Sequence, residues 1–125
     1  MRYGPILALI LAIFAAAAFA LPAANAEIRT AQSRRLDGTY ICSGTNPNGT
    51  GYRGTVVIRG NGGDNYRFTW LIAGSQTLSG VGTLNGNSIV VDWGQAYPVI
   101  YRVGADGVLR GTWDNGRATE TLTPQ

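Results

Sequence analysis

The sequence predicts an all-β protein that folds as a single eight-stranded antiparallel up-and-down β-barrel, preceded by a signal peptide. From Leu36 onward, short runs of β-branched and aromatic residues alternate with clusters of Gly, Asn and Asp, a pattern typical of strands joined by tight turns. No segment after residue 35 has the apolar repeat of an amphipathic helix. One apolar face on so many strands favours closure, because a closed sheet has no exposed edges. A two-sheet β-sandwich is the alternative.

Residues 1–26 have the pattern of a secretory signal peptide. Arg2 precedes the apolar run Ile6–Leu21, and the helix breaker Pro22 is followed by the small-residue site Ala24-Asn25-Ala26. We expect cleavage after Ala26, a periplasmic or secreted mature protein, and no stable membrane insertion after cleavage. An uncleaved membrane anchor is the alternative, because the apolar run approaches the length that spans a bilayer.

Residues 27–35 are predicted to form a flexible basic arm, since Arg29, Arg34 and Arg35 outnumber Glu27 and no apolar periodicity is present. Residues 36–125, the predicted barrel domain, contain as many acidic as basic residues. This domain lacks the basic surface that a phosphate backbone requires, so we expect no nucleic-acid partner.

Eight strands are predicted in the barrel domain, and every connection between them is short enough for antiparallel neighbours. The predicted strands are Thr39–Gly44, Tyr52–Arg59, Asn65–Ile72, Gln76–Leu84, Asn87–Trp93, Tyr97–Val103, Val108–Trp113 and Ala118–Thr123.

Turn chemistry predicts the register of three hairpins. Asn85-Gly86, as a two-residue type I′ turn, requires Leu84 to lie opposite Asn87. The loops that follow Arg59 and Trp113 set two further registers. Large inward residues then repeatedly meet glycines across the sheet, as in a small barrel with a filled interior, so we expect no sizeable internal cavity. The pairs predicted in this way include Gly82 with Ile89, Val81 with Val90, Val56 with Phe68, and Leu109 with Leu122.

The composition argues against an enzyme. The chain has no His, all ten of its basic residues are Arg, and its single Cys is Cys42. An imidazole base, a Schiff-base lysine and the usual zinc ligand sets are therefore excluded. We expect no catalytic residues, no metal and no cofactor. Cys42 is predicted to lie in the core, and the three tryptophans are predicted to pack inside the barrel rather than form a ligand platform.

One acidic residue, Glu120, shares the predicted inward face with Ala118 and Leu122. The register after Trp113 places it opposite Gly111, whose other neighbour is Tyr101. The space beside a glycine would let the Tyr101 hydroxyl reach the carboxylate. Glu120 and Tyr101 are thus predicted to form an interior polar pair, which is either a satisfied structural pair or an anchor for a ligand.

The exterior offers the candidate binding residues. Leu71, Val81 and Val90 are predicted to face outward on neighbouring strands, and Asn46 and Asn48 lie in a strand connection. An apolar patch of this kind suits a protein partner. We therefore expect a monomeric binding module that contacts an extracellular-matrix or envelope protein, with inhibition of an envelope hydrolase as a variant.

Six segments of the barrel domain are considered together: Gly44–Gly49, Tyr52–Ile58, Tyr66–Trp70, Gly80–Leu84, Gly107–Trp113 and Thr119–Pro124. These segments resemble a largely uncharacterised family of small exported bacterial all-β domains, some of whose members carry a fibronectin-binding label. Two shorter elements, Gly38-Thr39-Tyr40 and Gly111-Thr112-Trp113, are similar to the Gly-x-Trp element of lipocalin and avidin barrels. That second resemblance implies a barrel architecture. The alternative function, a lipocalin-like or avidin-like carrier of a small apolar ligand, follows from the number of strands, because the interior of an eight-stranded barrel is either filled by side chains or holds one small ligand.

Overall fold

A computed structural model describes residues 36–125 of the chain. The predicted signal peptide, residues 1–26, and the predicted basic arm, residues 27–35, lie outside the described residues. Within the described part, no helix is long and apolar enough to cross a membrane.

The described residues form a closed barrel of eight antiparallel strands, in which each strand pairs with its neighbour in sequence and the last pairs with the first. The predicted architecture is therefore confirmed. The strands are β1 (Gly38–Thr45), β2 (Gly51–Gly60), β3 (Asn65–Ile72), β4 (Gln76–Asn85), β5 (Ser88–Asp92), β6 (Val99–Val103), β7 (Leu109–Trp113) and β8 (Ala118–Pro124).

Alternating burial along the strands builds the core, because successive side chains of a strand point to opposite faces of the sheet. On β3, for example, Tyr66, Phe68 and Trp70 are buried, whereas Arg67 and Leu71 are exposed. Cys42 is fully buried, which confirms its predicted place in the core. The buried apolar cluster comprises Leu36, Tyr40, Cys42, Val56, Ile58, Tyr66, Phe68, Trp70, Ile89, Val91, Val99, Tyr101, Leu109 and Leu122.

The predicted register of the β4–β5 hairpin is wrong by two residues. Leu84 lies opposite Ile89, and Gly82 lies opposite Val91. The reason is the turn, whose central residues are Gly86 and Asn87. Gly86 has a φ of 62°, whereas Asn87 does not have a positive φ. A positive φ at the first central residue alone is the pattern of a type II′ turn, because type I′ requires it at both. A shift of two residues keeps the same side chains on the inner face.

The β2–β3 register is shifted in the same sense, so that Val56 lies opposite Trp70 instead of Phe68. Here the connection is tighter than predicted, since the Asn61 amide donates to the Asn65 carbonyl at 2.8 Å. In contrast, the predicted pairing of Leu109 with Leu122 is confirmed.

The two ends of the barrel differ. At the end where β1 begins and β8 finishes, Leu36 is buried in the core, and its carbonyl accepts a hydrogen bond from the Tyr40 hydroxyl at 2.9 Å. The opposite end, here called the open end, is formed by the connections of residues 46–50, 73–75, 93–98 and 114–117. The candidate site lies there.

Candidate functional site

A cavity of about 360 Å³ occupies the open end of the barrel. The prediction of a filled interior is therefore wrong for this half of the barrel. The space beside Gly44 is taken by the ring of Tyr52, and the space beside Gly111 by the ring of Tyr101, so both rings lie against the wall of the barrel. The cavity is lined by Asn46, Tyr52, Trp70, Ile72, Ala73, Gln76, Leu78, Trp93, Val99, Trp113 and Glu120.

Glu120 is the polar centre of this cavity, and only 6% of its surface is exposed. The Tyr52 hydroxyl donates to its Oε1 at 2.8 Å. Its Oε2 accepts a hydrogen bond from the Tyr101 hydroxyl and another from Trp70 Nε1 at 3.1 Å. Three donors thus converge on one carboxylate, and charge-assisted hydrogen bonds of this kind are the strong ones.

Five residues on five neighbouring strands lie side by side in one row across the sheet, and this row brings the donors to Glu120. In order, the row is Tyr52, Gly44, Glu120, Gly111 and Tyr101. Gly44 on β1 lies between Tyr52 and Glu120. Gly111 on β7 lies between Glu120 and Tyr101. Each tyrosine therefore reaches the carboxylate across a glycine, one from either side. The predicted placement of Gly111 between Glu120 and Tyr101 is confirmed.

Aromatic packing supports the hydrogen-bonded cluster from below. Phe68 stacks on Tyr101 with a centroid distance of 5.7 Å and an interplanar angle of 8°. It also stacks on Trp70 at 5.6 Å. These contacts hold the two buried donors of Glu120 in position.

Two further tryptophans form the upper walls of the cavity. The rings of Trp93 and Trp113 are nearly perpendicular, with a centroid distance of 5.7 Å and an angle of 84°. Trp113 also meets the edge of Tyr52, and its Nε1 donates to the Tyr52 hydroxyl at 3.0 Å. Trp93 Nε1 donates to the Tyr97 carbonyl at 2.9 Å. The indoles are therefore fixed by hydrogen bonds as well as by packing. Their predicted inward position is correct, but they line the cavity as well as the core.

The pKa values of three groups near Glu120, the hydroxyls of Tyr52 and Tyr101 and the thiol of Cys42, are raised. Burial, followed by the nearby Glu120 carboxylate, raises the pKa of Tyr52 and of Tyr101 above the ordinary value for a tyrosine. The same two causes raise the pKa of the Cys42 thiol. Both tyrosines therefore keep their protons at neutral pH and act as hydrogen-bond donors rather than nucleophiles.

No cationic side chain of the described residues approaches Glu120. All six arginines between residues 36 and 125 are exposed. The ion pairs recorded in this part of the chain, Arg110 with Asp106 and Arg117 with Asp114, lie outside the cavity. Among residues 36–125, no three His, Cys, Asp or Glu side chains lie close enough together to hold a metal ion.

The outward candidates are exposed as the alternation predicts, but the structure does not bring them together as one patch. Val81 lies opposite Asp92 instead of Val90, as a consequence of the shifted β4–β5 register. Leu71 lies opposite Thr77, toward the other end of the strand from Val81. Val90 lies directly opposite Ile100, and each is 46% exposed.

The two asparagines of the β1–β2 connection have different positions. Asn46 lines the cavity, and its Nδ2 donates to Thr50 Oγ1 at 3.1 Å. Asn48 is exposed, and its Oδ1 accepts from the Thr50 amide at 3.1 Å and from the Thr50 hydroxyl at 2.6 Å. Asn48 thus shapes the loop, whereas Asn46 faces the candidate site.

Sequence reasoning missed Tyr52, Gly44 and Trp70 as neighbours of Glu120. The signal was present in part, because barrel closure requires β1 to pair with β8. The position of Glu120 relative to β1 would have followed from the register of that pair.

No protein-family model matches the sequence, and no curated protein matches it either. Three similar solved structures are designed barrels. A redesigned β-barrel has a TM-score of 0.52 and 19% identity, covering 74% of this chain and 94% of that chain. A second redesigned β-barrel, solved bound to the ligand DFHBI, has a TM-score of 0.50 and 17% identity, covering 73% of this chain and 96% of that chain. A fluorescence-activating β-barrel designed de novo has a TM-score of 0.50 and 16% identity, covering 74% of this chain and 96% of that chain. At these identities, the likeness shows the fold alone.

Proposed function

We propose that this protein is an exported, non-enzymatic binding module that takes a small, largely apolar molecule into the open end of its barrel. The observation that carries the proposal is the cavity of about 360 Å³ at that end. Small-molecule sites are typically cavities of roughly 300 to 1,000 Å³, apolar and aromatic in lining, with a few convergent polar groups.

The lining of the cavity supports this function. Trp70, Trp93 and Trp113 supply large apolar surfaces, and Ile72 and Leu78 add aliphatic ones. Glu120 and its hydrogen-bond partners supply polar groups at the base, and Asn46 and Gln76 supply amides at the open end. Such an arrangement fixes the orientation of a bound molecule, while the walls supply the apolar contact that drives its transfer from water.

The non-enzymatic part of the proposal is supported by the chemistry around Glu120. Its carboxylate accepts three hydrogen bonds, and its two tyrosine partners hold their protons, because their pKa values are raised. No histidine or lysine exists in the chain to exchange a proton with a substrate. The cluster is suited to holding a ligand rather than transforming one.

Export is supported by the signal-peptide pattern of residues 1–26. The mature protein is then periplasmic or secreted and begins at Glu27. Intact mass spectrometry of the protein purified after expression of the full chain tests this part. A mass that retains residues 1–26 would contradict it.

A second candidate function is contact with an extracellular-matrix or envelope protein through the barrel exterior, as the sequence resemblance implies. The direct opposition of the exposed Val90 and Ile100 favours it, because it creates a small contiguous apolar surface on β5 and β6. Inhibition of an envelope hydrolase is a variant of the same mode, since inhibitors also bind through rigid exteriors.

The cavity is tested with tert-butylbenzene, an uncharged apolar probe, by nuclear magnetic resonance. The three tryptophans of the chain all line the cavity, so their indole N–H resonances report its occupation. We expect these resonances to shift on titration with the probe.

Gln76→Trp places a large side chain at the cavity wall, and Thr77→Trp places the same side chain on the outer face of the same strand. We expect Gln76→Trp to abolish the shifts and Thr77→Trp to preserve them. Equal binding by both variants would place the probe outside the cavity and count against the proposal.

A further inference from the structure

Three hydrogen-bond donors converge on the buried carboxyl group of Glu120, as expected for an ionised acceptor, and no positive side chain of residues 36–125 forms an ion pair with it. Its surface is 6% exposed, and every arginine in that part of the chain is exposed to solvent. Hydrogen bonds from Tyr52, Tyr101 and Trp70 stabilise the carboxylate, but they do not neutralise it. A buried charge is costly unless it is paired with an opposite charge.

The walls above this charge present aromatic rings to the cavity. Trp93 and Trp113 meet at 84°, and Tyr52 meets Trp113 at 69°. Rings that stand at steep angles around a common space surround a ligand from several sides. The faces of aromatic rings carry negative electrostatic potential and attract cations, and tryptophan is the most effective of them.

The three indole N–H groups around the cavity are already used within the protein. Trp70 Nε1 donates to Glu120, Trp113 Nε1 donates to Tyr52, and Trp93 Nε1 donates to the Tyr97 carbonyl. The indoles therefore have no N–H left for an anionic ligand. The carboxylate would also repel an anion.

From this geometry we infer that the ligand of the cavity is a small organic cation, an amine or quaternary ammonium with an apolar body. The positive group lies toward Glu120 and the rings of Trp93 and Trp113, and the apolar remainder fills the space between Ile72 and Leu78. This inference rests on the proposed function, because it specifies the chemical class of the molecule that the cavity binds.

Three probes of similar shape test the inference on the unmodified protein. Phenyltrimethylammonium carries the positive charge, tert-butylbenzene is its uncharged isostere, and benzenesulfonate is an anionic counterpart. The indole resonances give the affinity of each. We expect the cation to bind about tenfold or more tightly than the isostere, in keeping with a desolvated cation beside aromatic rings, and the anion not to bind.

The outcomes separate the inference from the proposed function. Equal affinity for the cation and its isostere, or tighter binding of the anion, would overturn the inference and leave the cavity a neutral apolar site. Failure of all three probes to bind would count against the proposed function itself.

Two variants assign the preference to the buried charge. Glu120→Gln removes the charge inside the cavity, and Asp92→Asn removes an exposed charge on β5 at the same end of the barrel. We expect Glu120→Gln to lower the ratio of the affinity for phenyltrimethylammonium to the affinity for tert-butylbenzene, and Asp92→Asn to leave that ratio unchanged. A ratio that Glu120→Gln leaves unchanged would overturn the inference. Should Glu120→Gln fail to fold, the three-probe comparison on the unmodified protein decides the matter alone.

Discussion

The ring of Tyr101 lies directly over the α-carbon of Gly111, its cross-strand neighbour. A β-carbon on Gly111 would stand 2.5 Å from Cδ1 of that ring and 2.8 Å from the Ile100 carbonyl oxygen. The absence of a side chain at Gly111 is therefore what lets the Tyr101 hydroxyl reach Glu120 on the next strand.

Replacing Gly111 by alanine is expected to displace Tyr101 and weaken its hydrogen bond to Glu120. Overpacking of this kind typically costs about 1 to 3 kcal/mol. Gly51→Ala is the matched control, since a β-carbon there would meet its nearest atom, the Gly44 carbonyl oxygen, at 3.8 Å. Urea denaturation should show a lower midpoint for Gly111→Ala than for Gly51→Ala, and coincident midpoints would contradict the expectation.

Removing the Tyr101 hydroxyl tests the cluster without adding volume. Tyr101→Phe keeps the ring over Gly111 but leaves Glu120 Oε2 with Trp70 as its remaining partner among the hydrogen bonds described. Loss of one partner of a buried polar group costs about 1 to 3 kcal/mol of unfolding free energy. Tyr97→Phe changes a tyrosine that is 43% exposed and should leave stability unaltered. The prediction fails if both variants unfold at the same denaturant concentration.

The sequence predicted the contact of Tyr101 with Glu120 but not the contact of Tyr52 with Glu120. The link from Tyr101 through Gly111 to Glu120 depends on hairpins between consecutive strands, and short turns constrain their register. The link from Tyr52 through Gly44 depends on β1 and β8, which no turn connects. That register follows from closure of the whole barrel and is not encoded in any local segment.

The cavity was missed for a different physical reason. Inward-facing residues follow from the alternation of side chains along a strand, and that part of the prediction is correct for Trp93 and Trp113. Alternation does not say in which direction a large ring leans once it is inside. Tyr52 and Tyr101 lean over Gly44 and Gly111, and a cavity of about 360 Å³ lies at the open end.

Stability should fall at alkaline pH. Burial, followed by Glu120, raises the pKa of Tyr52 and Tyr101 in the folded protein, whereas tyrosines of the unfolded chain ionise near pH ~10. Below that pH the contribution to stability is complete. Above it the unfolded state loses protons that the folded state retains, so the free energy of unfolding declines as pH rises toward the folded-state pKa values.

The chain contains no lysine, so lysine titration does not overlap with this window. Denaturation curves recorded from neutral to strongly alkaline pH measure how steeply the free energy of unfolding falls with pH. The double variant Tyr52→Phe with Tyr101→Phe should make this decline less steep. Burial also raises the pKa values of Tyr40 and Cys42, so part of the decline should remain. A slope identical to that of the unmodified protein would show that the buried tyrosines do not carry the effect.

The exterior surface and the cavity should respond independently to substitution. Val90 and Ile100 face outward and lie opposite one another, so the double variant Val90→Thr with Ile100→Thr removes apolar surface while keeping side chains that suit a strand. We expect stability to change by no more than about 1 kcal/mol, because both positions are about half exposed.

Binding of tert-butylbenzene to the cavity should be unchanged in this double variant. The second candidate function predicts that the variant no longer captures an envelope or matrix protein. Loss of tert-butylbenzene binding in this variant would contradict the prediction. It would mean that the outer face of β5 and β6 controls the shape of the cavity, so that the two binding surfaces are not independent.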